Sequence, residues 1–229
     1  MPDHREALLG EARALIYLGR HDEAIAVLDR MITLGTWYLG EAHYWRAWNR
    51  HRLKQYDAAN EDVPAARSRL PMDPQLDKLA GLVALARNEI ERAEREFRAA
   101  VEHLAGRGQR DCDAGYYLAS TLVMQRKWAE AAPLFEAAVP CYAEDEKAAR
   151  ARIGEIAASD LPGARKVRMT AAKEREIAGH QAQQARAAFN AAVACANLGQ
   201  LDKARPLAER AASHPDLRDP ANALLARIR

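Results

Sequence analysis

Seven histidines and three cysteines are the residues of this chain with the most reactive side chains, and their spacing gives them no common site. His4, His21, His43, His51, His103, His180 and His214 are scattered, without the close pairing that a metal ion requires. Cys112, Cys141 and Cys195 are too few for a disulfide scaffold and lack zinc-site spacing. The chain has no phosphate-cradling glycine loop, no His-Glu-x-x-His helix and no glycine-flanked serine nucleophile. No catalytic residue, metal ion or cofactor is therefore expected. The cysteines read as internal thiols. A second reading stays open for an oxidising compartment. Cys112 opens the first helix of a hairpin and Cys141 ends the second, and antiparallel helices bring such ends together, so a bridge between them is geometrically possible.

One charged cluster invites a binding role. Lys147, Arg150, Arg152, Arg165, Lys166, Arg168, Lys173 and Arg175 fall in one stretch, and such a patch suits an acidic partner or a nucleic-acid backbone. Glu155, Asp160, Glu174 and Glu176 interleave with it, so pairs at three- and four-residue spacing on a helix account for much of it. Nucleic acid is accordingly not the expected partner.

The elements that must carry these residues are helices. Of 229 residues, 49% are apolar and 29% charged, a soluble globular balance with enough apolar side chains for a sizeable core. Alanine is heavily used and aromatics make up only 6%, which favours helix over strand. A formal net charge of +2 argues against a general drive toward nucleic acid or anionic membrane. No apolar run approaches the roughly 18 residues of a membrane span, so membrane insertion is not expected. Residues Met1 to Glu6 lead into an amphipathic helix and not into a signal sequence. If Met1 is the natural start, a cytoplasmic location is expected. If the chain is an excised domain of a larger, exported protein, its first residues carry no address.

A small-residue signature recurs along the chain. Ala24-x3-Leu28, Ala59-x3-Val63, Ala93-x3-Phe97, Ala131-x3-Phe135 and Ala204-x3-Ala208 each sit in an apolar helical segment. Three residues further on come Met31, Ala66, Ala100, Ala138 and Ala211. Successive anchors lie 35, 34 and 38 residues apart, and the last interval is 73, about twice the others. Repetition at this length predicts an all-α solenoid of helix-turn-helix units. The expected units are 3–35, 36–72, 73–107, 110–143, a degenerate unit over 144–179, and 181–213. A capping helix over 216–229 would cover the last apolar face. Gly19 should end the first helix, and Asp22 is placed to cap the second. Pro64 should disturb its helix. The degenerate unit has Ile153 and Ile156 in a first helix, but Arg168 stands where an apolar residue should pack.

These repeats resemble the tetratricopeptide repeat, a helix-turn-helix unit of about 34 residues. Leu118-Ala119, Trp128, Ala131, Phe135 and Ala138 stand where the family's signature residues stand. Gly81, Ala93, Phe97 and Ala100 do the same one unit earlier, and Leu18 to Ala24 resemble the family's turn. Glu11 and Arg46 depart from it, each occupying an expected leucine place. The resemblance implies a right-handed superhelix with a concave groove lined by the first helix of each unit, and a role in binding proteins or peptides.

Carried over position by position, the resemblance implies a groove lined by Arg13, Tyr17, Tyr44, Trp48, His51, Arg52, Lys78, Leu82, Tyr116, Ser120, Met124, Arg186, Phe189 and Asn197. A surface both aromatic and basic suits an extended peptide with acidic groups or a free carboxylate. The competing reading is that Trp45 and Trp48 are core between repeats, and that His51 and Arg52 are plain solvated residues. The expected function is a non-catalytic interaction scaffold. The alternatives are a self-associating module, joined through an end helix or the aromatic second unit, and a regulatory segment of a larger chain.

Overall fold

The structure, a computed structural model, describes residues 3–35 and 37–228, with side chains from Glu6 onward. Thr36 and Arg229, the ends of two expected elements, lie outside the described residues, as do Met1 and Pro2. The regular elements among the described residues are all helices. They are α1 (Asp3–Tyr17), α2 (His21–Leu34), α3 (Leu39–Arg52), α4 (Tyr56–Arg67), α5 (Pro74–Ala86), α6 (Ile90–Gly106), α7 (Cys112–Met124), α8 (Trp128–Ala158), α9 (Gly163–Asn197), α10 (Leu201–Ala212) and α11 (Arg218–Arg227). A short 3₁₀ turn, Pro215–Leu217, precedes α11. The contacts separate into two compact units, one ending at Ala114 and the other beginning at Gly115.

Every anchor is buried. Ala24, Leu28, Met31, Ala59, Ala66, Ala93, Phe97, Ala100, Ala131, Ala204, Ala208 and Ala211 have no exposed surface, and Val63, Phe135 and Ala138 expose 1–2%. The physical reason is steric: helices of a hairpin approach closely where the facing side chains are small, and alanine supplies smallness without losing helix propensity.

The hairpin turns repeat as regularly as the anchors. Gly19, Lys54, Asn88, Arg126 and Gly199 all have positive φ, between 59° and 73°, and each lies five residues before its anchor alanine. The residue after each closes a six-residue turn onto the preceding helix: Arg20 N to Leu15 O, Gln55 N to Arg50 O, Glu89 N to Ala84 O, Lys127 N to Leu122 O and Gln200 N to Cys195 O, all at 2.8–2.9 Å. This left-handed residue satisfies the carbonyls that a helix end leaves open. Asp22 does not cap α2. Arg20 holds the cap position and pairs with Glu23 at 2.5 Å, while Asp22 sits in the first turn, where its charge favours the helix dipole.

The first unit stacks three such hairpins, α1–α2, α3–α4 and α5–α6, followed by the start of α7. α2 packs on α3, and α4 on α5. α4 runs through Pro64 without a break. α5 begins at Pro74 under a true cap, with Asp73 Oδ1 accepting from Gln75 and Leu76 N–H at 2.9 and 3.0 Å.

In the second unit, the stretch expected as a degenerate repeat has no turn at either border. α8 continues from Trp128 past residue 144 to Ala158, and α9 from Gly163 past residue 180 to Asn197. Nothing between Ala143 and Lys147 breaks a helix, and Gly179 keeps a helical backbone. The two long helices pack along each other, with Ala149, Ile156 and Ile177 buried and Arg168 exposed on α9. α10 and α11 complete the unit against the second half of α9, around Ala192, Cys195, Ala208 and Leu224.

Candidate ligand-binding surfaces

In the first unit, α3 carries Tyr44, Trp48 and Arg52 at intervals of four, which places them on one face of the helix. Tyr44 and Trp48 are half-buried and pack on Ala47, Ala59, Leu79 and Val83. Trp45 packs into the core of the first hairpin, and its ring meets those of Tyr44 and Trp48 edge-on at 4.9 and 6.2 Å. Trp48 is also met by the edge of the His21 ring at 5.6 Å, while His21 Nδ1 donates to the buried Asn49 at 2.8 Å. Trp48 therefore serves the core with part of its ring and keeps part for solvent.

The guanidinium of Arg52 lies 5.7 Å from the centre of the Trp48 ring, within the range of a cation–π contact. Arg52 is exposed, and no carboxylate among the described residues lies within ion-pair distance of it. His51, half-buried, leans on Tyr56 at 5.6 Å. Burial, helped by Arg52, holds its pKa below the usual histidine value, which favours the neutral ring. Burial first, and then Asp73 and Asp111, pushes the Tyr44 phenol up to about 12, so it stays protonated.

Lys78 differs from Arg52. Its ammonium is 2.5 Å from Asp111 Oδ2, and both side chains are mostly buried. That charge is already matched within the protein. Leu82 is half-buried on α5, while Arg13 and Tyr17 stand exposed on α1, Tyr17 at 85%.

Two buried acids belong to this unit and escaped the sequence reading. Asp62, 1% exposed, accepts from His43 at 2.8 Å, Arg46 at 2.5 Å and Arg50 at 2.8 Å, and Arg46 also reaches Asp29 at 2.6 Å. Asp77, 4% exposed, holds Arg67 at 3.1 Å and His103 at 2.7 Å. These are ties between helices, with their donors turned inward. The signal in the sequence was Arg46 itself, a cation standing in a leucine place.

In the second unit, Tyr116 is taken up by the protein. Its hydroxyl accepts from Asn190 at 3.0 Å, and its ring meets Phe135 and Tyr142 edge-on at 5.4 and 6.5 Å. Ser120 donates back to the Tyr116 carbonyl at 2.9 Å. Met124 is 57% exposed, and Arg186 is exposed. Phe189 and Asn197 line a groove of about 480 Å³ between the end of α9 and α11, floored by Val193, Leu224 and Ile228. Cys112 and Cys141 are disulfide-bonded, and Cys195 is a free, buried thiol.

A family profile described as the tetratricopeptide repeat matches residues 2–36 and 78–149, segments that contain three of the five anchors. The matched segments are similar to tetratricopeptide repeats. No curated protein matches the chain. Among solved structures it is similar to a thermophilic TPR protein of Thermus thermophilus, with 16% identity over 97% of this chain and 99% of that one, at a TM-score of 0.54. It is similar to a Podospora anserina structure of putative kinesin light chain TPR-like repeats, 14% identical over 93% and 95%, at 0.60. A MamA structure from Desulfovibrio magneticus is 22% identical over 58% of this chain and 73% of that one, at 0.52. At such identities the likeness is one of fold. The TPR fold is that of a protein-interaction scaffold, and its members are generally non-catalytic. Among the described residues no helix is long and apolar enough to cross a membrane.

Proposed function

We propose that this TPR-like protein is a non-catalytic scaffold that holds an extended, acidic segment of a partner protein on the face of α3 that carries Tyr44, Trp48 and Arg52. Tyr44 and Trp48 supply rigid apolar contact, and Arg52 supplies the charge. The observation that carries this reading is the state of Arg52: exposed, stacked on Trp48 and, among the described residues, free of any carboxylate. Stacking preorganises the guanidinium, so less freedom is lost when it pairs bidentately with a carboxylate. Lys78 is a weaker candidate, because a ligand would have to displace Asp111.

The test compares capture of partners from source lysate by the wild-type chain and by Arg52→Glu. Arg52 is exposed, so circular dichroism and thermal melting should match in the two. Loss of a captured species with the fold intact supports the site, whereas the same captured set with both chains shows that α3 is not the binding face. Weaker capture at higher salt should accompany a charge-led contact.

A further inference from the structure

Two apolar features of the chain have no partner among the described residues. The first is Trp37, 94% exposed, in the link between α2 and α3. Its companions at the end of α2 and the start of α3 are apolar and acidic: Leu34 is 51% exposed, and Glu41 lies four residues on, with no cation within ion-pair distance among the described residues. Tryptophan is seldom left in water, and it dominates the binding energy of interfaces where it occurs. The second is the groove beside the last helix, with Phe189, Val193, Leu224 and Ile228 as walls and Arg227 among its lining residues. Its volume of about 480 Å³ falls within the range of pockets that enclose a small molecule, about 300–1,000 Å³, so one indole fits. No carboxylate among the described residues pairs with Arg227.

We infer that these two features are the halves of one contact between copies of the chain: Trp37 of one molecule enters the groove of the next, and Glu41 meets Arg227. The complementarity is threefold. An exposed aromatic faces an apolar recess of sufficient size, an acid faces a base, and among the described residues neither charge is paired and neither surface is covered. The contact joins two different patches, so it is heterologous, and association continues beyond a pair unless a ring closes. One aromatic side chain and its rim fall well short of the roughly 1,200 Å² of a stable interface. Association is therefore weak and concentration-dependent, with a dissociation constant on the order of 0.1–1 mM by comparison with the smallest specific interfaces. Trp37 lies just before α3 and Glu41 in its first turn, and Glu41 is roughly 16 Å along the helix from Arg52.

Sedimentation equilibrium of the full chain, from about 5 μM to about 1 mM, tests the inference, with Trp fluorescence as a second reading. The wild-type average mass should rise with concentration while the indole emission moves to the blue. Trp37→Ala should stay monomeric. Ala223→Lys, which fills the groove from an exposed lining position, should do the same. Glu41→Arg and Arg227→Glu should each weaken association at least threefold, and the two together should restore it, an outcome that a merely structural role for either residue cannot produce. Arg52→Glu should leave association intact, which separates this contact from the proposed peptide site. A wild-type chain monomeric at about 1 mM, association that survives Trp37→Ala or Ala223→Lys, or a charge swap that fails to restore it overturns the inference.

Discussion

Phe97 of α6 lies so close over Gly81 of α5 that a β-carbon on the glycine would come within 2.6 Å of the ring. Phe97 has no exposed surface, and the ring has nowhere to retreat except into buried neighbours. Gly81→Ala should therefore overpack the third hairpin and cost about 1–3 kcal/mol. Gly10 in α1 is the control, since nothing lies within 4 Å of a β-carbon there. Gly10→Ala should stabilise by about 0.5–1 kcal/mol through helix propensity alone. Urea unfolding of both variants checks the pair, and equal shifts of the same sign would show that the close approach does not matter.

The turns offer an improvement that the anchors do not. Lys54 and Arg126 hold the left-handed position that Gly19 and Gly199 hold in other hairpins. A side chain in that region costs on the order of 1–2 kcal/mol, partly offset by the greater freedom of glycine in the unfolded chain. Lys54→Gly and Arg126→Gly should each raise stability by about 0.5–1 kcal/mol. Asn88→Gly should gain less, because asparagine tolerates this conformation. Differential melting of the three variants ranks them, and a fall in melting temperature for Lys54→Gly would count against strain at the turn.

How much of this was legible beforehand depends on whether a feature is local. The anchors were, because an alanine, a larger residue four positions on and another apolar residue three beyond describe one face of one helix. The fused helices α8 and α9 were harder. A repeat border is marked by a left-handed residue, and the absence of one near residues 144 and 180 is a silence that a period count overrides. The Lys78–Asp111 pair joins residues 33 apart in sequence, and no periodicity announces it. Its existence turns an expected ligand contact into an internal tie. Arg46 misled in the other direction. As a departure from the repeat pattern it weakened the resemblance, yet it is matched by the acid across its hairpin.

That acid, Asp62, should be the most sensitive charged position of the first unit. It is 1% exposed and accepts from three basic side chains. Asp62→Ala leaves Arg46 and Arg50 near one another without their common partner, and breaking a buried pair in this way costs about 3–5 kcal/mol. Arg46→Ala should cost less, because Asp62 keeps Arg50 and His43. Chemical denaturation gives both values. An Arg46→Ala loss equal to that of Asp62→Ala would mean that Arg46 alone carries the tie.

Acid titration should separate two other aspartates by the sign of their effect. For Asp111, burial raises the pKa, but the Lys78 bond, with help from Gln75 and the Ala114 N–H, brings it below the usual carboxylate value. Its stabilising contribution is present above the unfolded pKa, near 3.9, and is lost as pH falls through the lower folded value. For Asp77, burial outweighs the His103 and Arg67 contacts, and the pKa is raised. Its contribution is fully present below the unfolded pKa and fades as pH rises through the higher folded value. The deficit of Asp111→Asn relative to wild type should therefore grow as pH rises from about 2.5 to 5.5, and that of Asp77→Asn should shrink. Urea midpoints across this range, below the histidine titration, decide the matter, and parallel slopes would refute the assignment.

Cys195 bears on both the redox state and the packing of the second unit. It has no exposed surface. Burial, with the S–H bond to Glu136 at 3.4 Å, pushes its thiol up to about 11. At pH 8 only about one molecule in a thousand then carries the reactive thiolate, against roughly a quarter for a cysteine with a pKa near 8.5. Thiolate is the attacking species, so alkylation of the native protein by iodoacetamide should be at least about a hundredfold slower than after unfolding. With Cys112 and Cys141 in disulfide form, an oxidised preparation unfolded without reductant should release one thiol per chain. Prior reduction should raise that number to three without speeding the labelling of Cys195 in the native state. Three thiols in the oxidised preparation would remove the disulfide, and rapid native labelling of Cys195 would show that the α9–α10 contact opens far more readily than its buried alanines imply.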